Sequence, residues 1–496
     1  MNRISRSLLI AVLLAGGAHA KPPAAASLAK ANEAVTARHY AALIAHTPQT
    51  AELTMFFTQM PKGADLHHHY SGAIYAERYV DWLDKQGACV DKHSYRILTD
   101  PAVVAAQRAL PAAERTCLSS AEVLADDQTY RELLQRWSSK DFNNHGALQP
   151  PPDRQFFQTF LYFDPVSNAN YHDGLLELKQ RAVQENVGYI ETMFKSAPQL
   201  ANAEFDQAVE QGGADVDALL QGWYATLEKD AVFNRSVSNY LAVIDAAHAG
   251  IDDAGFTMRF QAYVLRLLPP SRVFASMVAG FKAASQDPLV VGVNIVGQES
   301  QAVSMRDYAL HMRMFKFLKA RYPNVKLALH AGELALGDVP PEGLSFHIDQ
   351  ALNVAGADRI GHGIDLAHET NAIGIMRTMR QKGVAVEINL TSNAFISGVK
   401  GEDHPLTMYR KYGVPYVIST DDAGVTRHNL ANEYVLFASR YKPDYAEVKQ
   451  ASYNSLRYAF LPERDKQRLK AQLDARYAVF EAAIAGLDAA QVRAKH

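Results

Sequence analysis

Short apolar runs recur along the chain, and each is followed by a longer segment with helical periodicity. Eight such runs occur: 64–70, 187–194, 257–265, 289–297, 326–332, 359–363, 384–391 and 416–421. Several are almost continuously apolar, which is typical of parallel strands that are covered on both faces. Eight strand–helix repeats predict an α/β fold of the (β/α)8 TIM barrel type, with an open doubly wound sheet as the alternative.

The first twenty residues have the pattern of a secretory signal peptide. Arg3 and Arg6 precede an apolar run, and Ala18-His19-Ala20 supplies a small-x-small cleavage pattern. A membrane anchor is the alternative, but the run is shorter than the roughly 20 residues that span a bilayer. We therefore expect residues 1–20 to be removed after Ala20 and the protein to be exported, to the periplasm or the extracellular space.

The remaining chain divides into an extension, a barrel domain and an insertion. Residues 21–60 are rich in alanine with helical spacing, which predicts a helical N-terminal extension, and residues 61–496 hold the barrel. The long interval after the first strand predicts an insertion at about 74–178, serving as a lid or a dimer contact. Cys89 and Cys117 lie in it, and export would permit a disulfide between them, against the alternative of two buried thiols.

Charge and hydropathy exclude several classes of partner. The formal net charge is −3, with acidic and basic residues interspersed, so the chain offers no broad basic surface for nucleic acid. After the N-terminal run, no apolar stretch is long enough to span a membrane. We expect no membrane span and no nucleic-acid partner, and homodimer formation stays open.

Side chains that bind metals occur where the predicted strands end. They are His67 and His69 on the first strand, His330 on the fifth, His362 on the sixth, and Asp421 and Asp422 on the eighth. The carboxyl ends of barrel strands converge on one face, where active sites lie. Because side chains alternate along a strand, two histidines spaced two residues apart share a face. The pattern predicts one metal site at the barrel mouth.

A carboxyl group follows one of these histidines. Glu333 ends the segment His330-Ala331-Gly332-Glu333, and a carboxyl beside a metal ligand suits acid–base work on water. Each motif alone has an ordinary structural explanation, such as a turn or a helix cap. Together they favour a metal site with a carboxyl group beside it for acid–base work on a metal-activated water.

Four segments resemble, in the same order, the signature blocks of the adenosine deaminase family: 60–69, 330–333, 361–363 and 419–422. The opening Met60-Pro61-Lys62-Gly63 and the secretory N-terminus are most similar to the secreted, growth-factor-related branch of that family. The resemblance implies hydrolytic deamination of a purine nucleoside, with adenosine or deoxyadenosine giving inosine and ammonia.

The resemblance also implies the metal and its ligands. One Zn²⁺ ion per chain would be held by His67, His69, His330 and Asp421. Histidine and carboxylate ligands with an open position are what a hydrolytic zinc requires. Such an ion would activate water for attack on C6 of the purine.

Roles for the other matched residues follow from the same resemblance. Glu333 would protonate N1 of the ring, and His362 would orient the attacking hydroxide. Asp422 would hydrogen-bond N7, the backbone of Gly297 would contact N3, and His69 would also border the bound substrate.

Some positions depart from the family pattern and leave alternatives open. Ser71 stands where the family has an acid near the sugar, so the resemblance does not define sugar recognition. A deaminase or amidohydrolase acting on another aminopurine or an N6-substituted adenine nucleoside is therefore an alternative, as is a hydrolase with the same barrel that acts on an amide or a lactone. Binuclear relatives need a bridging ligand after the fourth strand, where this chain has only Glu299, so a single metal is favoured. A catalytically inactive secreted binding protein is the alternative from another class.

Overall fold

The computed structural model describes residues 25–143, 149–213 and 215–494. The predicted signal peptide lies outside these residues. Within them the chain forms these strands: β1 (Lys62–His69), β2 (Cys89–Asp91), β3 (Ile97–Leu98), β4 (Cys117–Leu118), β5 (Val187–Ser196), β6 (Thr257–Leu265), β7 (Val290–Val296), β8 (Ala328–Ala331), β9 (Arg359–His362), β10 (Ala385–Ile388) and β11 (Tyr416–Ile418).

Eight of these strands close into a barrel. Parallel pairing gives two four-stranded sheets in the orders β1-β5-β6-β7 and β8-β9-β10-β11. Parallel bridges between Val293 and Leu327 and between His68 and Asp421 join the two sheets at both seams. The predicted (β/α)8 barrel is confirmed, and each of the eight predicted apolar runs supplies one strand.

Helices surround the barrel and connect its strands. They are α1 (Ala25–Leu43), α2 (Thr50–Gln59), α3 (Tyr70–Ala73), α4 (Ala76–Trp82), α5 (Pro101–Ala109), α6 (Ser120–Ala125), α7 (Asp127–Arg136), α8 (Pro152–Ser167), α9 (Tyr171–Gln184), α10 (Ala203–Gln211), α11 (Val216–Lys229), α12 (Ala231–His248), α13 (Pro270–Gln286), α14 (Ala302–Lys319), α15 (His347–Gln350), α16 (Ala372–Lys382), α17 (Leu390–Ile396), α18 (Leu406–Tyr412), α19 (Ala423–Thr426), α20 (Leu430–Tyr441), α21 (Tyr445–Arg457) and α22 (Glu463–Ala494). Helix α13 shows the typical arrangement, because it follows β6 and packs on both β6 and β7. Of the described helices, none is both long and apolar enough to cross a membrane.

The N-terminal helices pack on the C-terminal ones. Helix α1 lies against α22, and α2 lies against α20. The side chain of Lys62, at the start of β1, is buried and fixes this junction, because its ammonium donates to the carbonyl oxygens of Phe57 (2.5 Å), Met60 (3.0 Å) and Glu185 (2.8 Å). Burial lowers the pKa of Lys62 to about 8. This buried lysine explains why β1 begins before the apolar run that predicted it.

The interval between β1 and β5 holds helices and a small antiparallel sheet in the order β3-β2-β4. A disulfide joins Cys89 on β2 to Cys117 on β4, which decides between the two alternatives for these cysteines. Helix α8 packs against α3, α4 and α17, all of which lie at the carboxyl ends of the barrel strands. The interval therefore places one long helix over the mouth of the barrel.

Candidate metal and active site

Four side chains predicted as metal ligands meet at the mouth of the barrel. His67 and His69 come from β1, His330 from β8, and Asp421 from the segment just after β11. One ligand atom from each lies within 4.8 Å of the others, and we call these four residues the metal group. Nε2 of His69 is 3.3 Å from Nε2 of His330, and Oδ1 of Asp421 is 3.2 Å from Nε2 of His69 and 3.5 Å from Nε2 of His67.

The chemistry of this group fits a divalent metal ion. Nε2 of His67 is buried and makes no hydrogen bond within the described residues. Burial lowers the pKa of His69 and of His330, so both rings are neutral and each has a lone pair to donate. For His67, burial is outweighed by Asp421 and Glu387, which raise its pKa to about 10. The centre therefore favours a positive charge, and three nitrogens with one carboxylate oxygen are ligands that zinc accepts.

Two further side chains fix the orientation of the ligating rings. Oε2 of Glu387, on β10, lies 2.6 Å from Nδ1 of His67, and Oδ1 of Asn294, on β7, lies 2.9 Å from Nδ1 of His330. A ring nitrogen that donates to such a partner leaves Nε2 free for the metal. The motif analysis missed both residues, although each is a polar residue inside an otherwise apolar strand.

A buried arginine holds Glu387 in place. Arg359 donates from Nε to Glu387 (2.6 Å) and from a terminal guanidinium nitrogen to Glu191 (2.6 Å). Burial alone would raise the pKa of Glu387, but Arg359 and His67 lower it below its ordinary value. Glu387 is therefore ionised, and a continuous chain of charged groups runs from Glu191 through the barrel interior to the metal group.

Backbone conformation at the site is unusual at two positions. His362 has φ of 65° and Asp421 has φ of 63°, both in the left-handed region that non-glycine residues rarely adopt. At Asp421 the barrel seam holds this conformation, because its N–H donates to the carbonyl of His67 and its carbonyl accepts from the N–H of His69. Strain of this kind concentrates at functional sites.

A proton donor stands beside the metal group. Glu333, His362 and Asp421 form a second cluster within 4.8 Å, and Oε1 of Glu333 is 3.4 Å from Nδ1 of His362. Burial, with the neighbouring charge of Asp421, raises the pKa of Glu333 well above its usual range. Burial also lowers the pKa of His362 to about 3. The raised pKa favours the protonated form of Glu333, and the lowered pKa keeps the ring of His362 neutral.

The side chain of His362 is oriented by an amide. Nδ2 of Asn393 donates to Nδ1 of His362 over 2.9 Å. The neutral ring therefore carries its hydrogen on Nε2, which lies 3.9 Å from Oδ2 of Asp421 and makes no hydrogen bond within the described residues. That N–H is directed at the metal group and can orient a reacting oxygen there.

Glu299 supports the active-site loop and is absent from the metal group. Its carboxylate accepts the backbone N–H groups of Gly332 (3.0 Å) and Glu333 (3.1 Å), and it pairs with Nδ1 of His347 at 2.5 Å. These contacts occupy both carboxylate oxygens and fix the loop that carries Glu333. The arrangement agrees with a single metal.

The site opens into a cavity of about 690 Å³. The cavity is lined by all the predicted site residues except His67, which lies behind them: His69, Gly297, His330, Glu333, His362, Asp421 and Asp422. Gly297 has φ of 102°, and a Cβ there would approach Leu265 to 3.1 Å, so only glycine is unstrained at this place. Oδ1 of Asp422 is buried without a hydrogen-bond partner in the described part of the chain, which leaves it available to a ligand.

The fold and the site define a metal-dependent hydrolase of the (β/α)8 barrel class. The sequence model of the adenosine deaminase family matches residues 223–476. The chain is 31% identical over 260 residues to the adenosine deaminase of Pectobacterium atrosepticum, which covers 47% of this chain and 73% of that protein. The chain therefore belongs to the adenosine deaminase family, and it is a hydrolytic deaminase.

Solved structures share the fold at low sequence identity. The N6-methyl-AMP deaminase of Arabidopsis thaliana has a TM-score of 0.53 and 16% identity, over 85% of this chain and 98% of that one. An amidohydrolase from Burkholderia ambifaria, with bound zinc, has a TM-score of 0.50 and 17% identity, over 87% and 94%. Each likeness covers most of both chains.

Proposed function

We propose that this protein is a zinc-dependent adenosine deaminase that converts adenosine or deoxyadenosine to inosine and ammonia. The observation that carries the proposal is the position of Glu333 and His362, each within 4.8 Å of Asp421 and beside the three histidines. Hydrolytic deamination of a purine ring needs a proton donor for the ring and an activated water. Glu333 would supply the proton, and the neighbouring metal ligands would hold the ion that activates the water.

Zinc is the metal that the ligands favour. His67, His69, His330 and Asp421 would hold it, and the related barrel from Burkholderia ambifaria carries zinc. When bound, the ion supplies the Lewis acidity that makes water nucleophilic at neutral pH. Tetrahedral nitrogen and carboxylate coordination with one open position is the usual arrangement of catalytic zinc.

The protein's own groups would bind and polarise the base. Glu333 would give its proton to N1, which draws electron density from C6, and Nε2–H of His362 would orient the attacking oxygen. Burial and the charge of Asp421 raise the pKa of Asp422 well above its usual range, which favours a protonated carboxyl that would donate a hydrogen bond to N7. The backbone N–H of Gly297, at a position only glycine adopts without strain, would reach N3.

Helix α8 would exclude bulk water from the reaction. Phe156, Phe157 and Phe160 of this helix line the same cavity as the metal group. These apolar side chains would strengthen electrostatic interactions in the cavity, because the local dielectric constant falls when water is displaced.

The charges of the cavity favour a nucleoside over a nucleotide. The Arabidopsis neighbour acts on N6-methyl-AMP, so a 5′-phosphate is the alternative to consider. Of the described residues that line the cavity, Arg154 is the one arginine or lysine, and Asp153 and Asp164 lie on the same helix. Two carboxylates beside a single exposed guanidinium disfavour a phosphate dianion.

The test measures zinc content and substrate turnover on the purified mature protein. We expect about one zinc per chain and a fall in ultraviolet absorbance as adenosine becomes inosine. Deoxyadenosine, N6-methyladenosine, AMP and N6-methyl-AMP are compared in the same assay. Faster turnover of either nucleotide than of any nucleoside would reject the nucleoside assignment, and turnover of none of them would reject the proposed activity.

We also propose that the protein is exported. The charged and apolar pattern of residues 1–20 supports this, and so does the Cys89–Cys117 disulfide, because disulfides persist in oxidising compartments. N-terminal sequencing of the secreted or periplasmic protein should begin at Lys21. Recovery of the full-length chain in the cytoplasm alone would contradict export.

A further inference from the structure

The buried guanidinium of Arg266 contacts the loop that carries Glu333. Arg266 follows the last residue of β6 and is 1% exposed. It is absent from the described lining of the cavity, so it would touch neither the substrate nor the ion. Its backbone N–H donates to the carbonyl of Val296 over 3.0 Å, which continues the pairing of β6 with β7. The base of the side chain is therefore fixed in the barrel wall.

This guanidinium is tied to both ends of the segment 330–333. At the first end, Nη2 of Arg266 donates to the carbonyl oxygen of His330 over 3.0 Å. At the other end the contact is indirect, because Nη1 of Arg266 lies 3.5 Å from Oε2 of Glu299. That same oxygen of Glu299 accepts the backbone N–H of Glu333 over 3.1 Å. One side chain thus connects a candidate metal ligand with the proposed proton donor.

The charge of Arg266 strengthens the indirect contact. Burial would raise the pKa of Glu299, but Arg266 and His347 outweigh it and lower the pKa to about 2. The side chains of Arg266 and Glu299 are each 1% exposed, so salt and water screen their attraction weakly. An ionised carboxylate accepts a stronger hydrogen bond from a backbone N–H than a neutral group does. The anchor of Glu333 therefore depends on a charge that Arg266 balances.

We propose that Arg266 is a positioning residue that sets the separation between the metal group and the carboxyl of Glu333. The inference rests on the proposed function, since it assumes that Glu333 gives a proton to the ring while the metal ligands hold the ion. Catalysis is sensitive to such a separation, because a misplacement of about 1 Å can lower a rate by about 100-fold. A planar guanidinium suits this task, because it offers several donors in a fixed geometry.

The test compares turnover per bound zinc in wild type, Arg266→Lys, Arg266→Met and Arg259→Met. Arg259 is the matched control, because it also lies on β6, pairs with Asp252 at 2.7 Å and is absent from the described cavity lining. For both Arg266 variants we expect about one zinc per chain, a kcat for adenosine lower by about 10- to 100-fold, and inhibition by inosine within about threefold of wild type. Lysine keeps the charge, but its single ammonium does not reproduce the fixed pair of contacts.

A double variant separates positioning from loss of stability. Arg266→Met leaves Glu299 as an unpaired buried charge, whereas Arg266→Met combined with Glu299→Gln leaves none. Because Arg266 acts on Glu333 through Glu299, we expect the loss of kcat in the double variant to be smaller than the product of the two single losses. Where Arg266→Met does not fold, Arg266→Lys alone and with Glu299→Gln completes the same comparison.

Four results would overturn the inference. They are a kcat per bound zinc within about threefold of wild type in the Arg266 variants, the same loss in Arg259→Met, an equal weakening of inosine inhibition, and losses that multiply in the double variant. A wild type that turns over no aminopurine nucleoside would reject the proposed function and this inference together. An active wild type whose Arg266 variants lose no turnover would reject this inference alone.

Discussion

Oε2 of Glu387 lies 2.6 Å from Nδ1 of His67, deep inside the barrel. The other oxygen of the same carboxylate accepts from Nε of Arg359 at 2.6 Å, so Glu387 joins the guanidinium to a predicted metal ligand. All three side chains are buried. The orientation of His67 therefore depends on a carboxylate that would not touch the metal.

Replacing this carboxylate should weaken the metal site. We expect Glu387→Gln to reduce zinc affinity by about 10- to 100-fold, because the amide no longer provides a charged partner for His67. Competition with a chelator of known affinity measures the effect. Glu447→Gln is the matched control, since Glu447 also accepts from an arginine but lies away from the cavity. Equal zinc affinity in both variants would show that Glu387 does not support the ligand.

Replacing Glu333 should lower the turnover rate and leave the zinc content unchanged. We expect Glu333→Gln to keep about one zinc per chain and to lower kcat by about 10²- to 10⁴-fold, because it removes a proton donor and leaves the ligands intact. Metal analysis and steady-state kinetics on the same preparation check both parts. A variant with wild-type kcat would remove Glu333 from the proposed chemistry.

Replacing His330 should lower both the zinc content and the turnover rate. His330→Ala deletes a ring whose Nε2 lies 3.3 Å from that of His69, so we expect it to lower zinc content and adenosine turnover together. Restoring activity with excess zinc would show that the remaining ligands still form a weaker site. Full zinc occupancy after dialysis against a chelator would mean that His330 is not a ligand.

A carboxylate far from the site should make stability depend on acid pH. Burial raises the pKa of Asp252, but hydrogen bonds from His248, Arg259 and the N–H of Met258 outweigh it and lower the pKa to about 2. Because the folded pKa lies below the ordinary value of 3.8, this contribution is present above pH 3.8 and is lost as the pH falls through about 2.

For Asp252→Asn we expect the free energy of unfolding at pH 7 to fall by about 1–2 kcal/mol, a figure reduced because the side chain is partly exposed. Urea unfolding of wild type and variant at several pH values measures it, and the two curves should converge toward pH 2. A difference that stays constant from pH 7 to pH 2 would assign the loss to packing instead of charge.

The barrel and the metal group were predictable from sequence because strong signals specify them. Continuous apolar runs mark buried parallel strands, and histidines at their ends share one face by topology. Strand limits were harder to place. Lys62 is polar yet lies within β1, where backbone carbonyls satisfy its ammonium, and Asp421 follows the last residue of β11 and joins the barrel through a single bridge.

The supporting residues could not be paired from sequence. Glu387, Asn294 and Glu191 each interrupt an apolar strand, which indicates a buried polar group but not its partner. The partners of Glu387, His67 and Arg359, lie on other strands, and only the closed barrel brings them within hydrogen-bond distance.

The seam between β1 and the segment after β11 affects the order in which the protein folds and the metal site forms. The backbone hydrogen bonds of this seam join Asp421 to His67 and His69. The residues that close the barrel are therefore also candidate ligands of the metal ion. During translation the two histidines are synthesised long before the aspartate. A nascent chain that lacks the segment after β11 lacks one of the four candidate ligands, so the full set of four would form only after the ring of strands has closed.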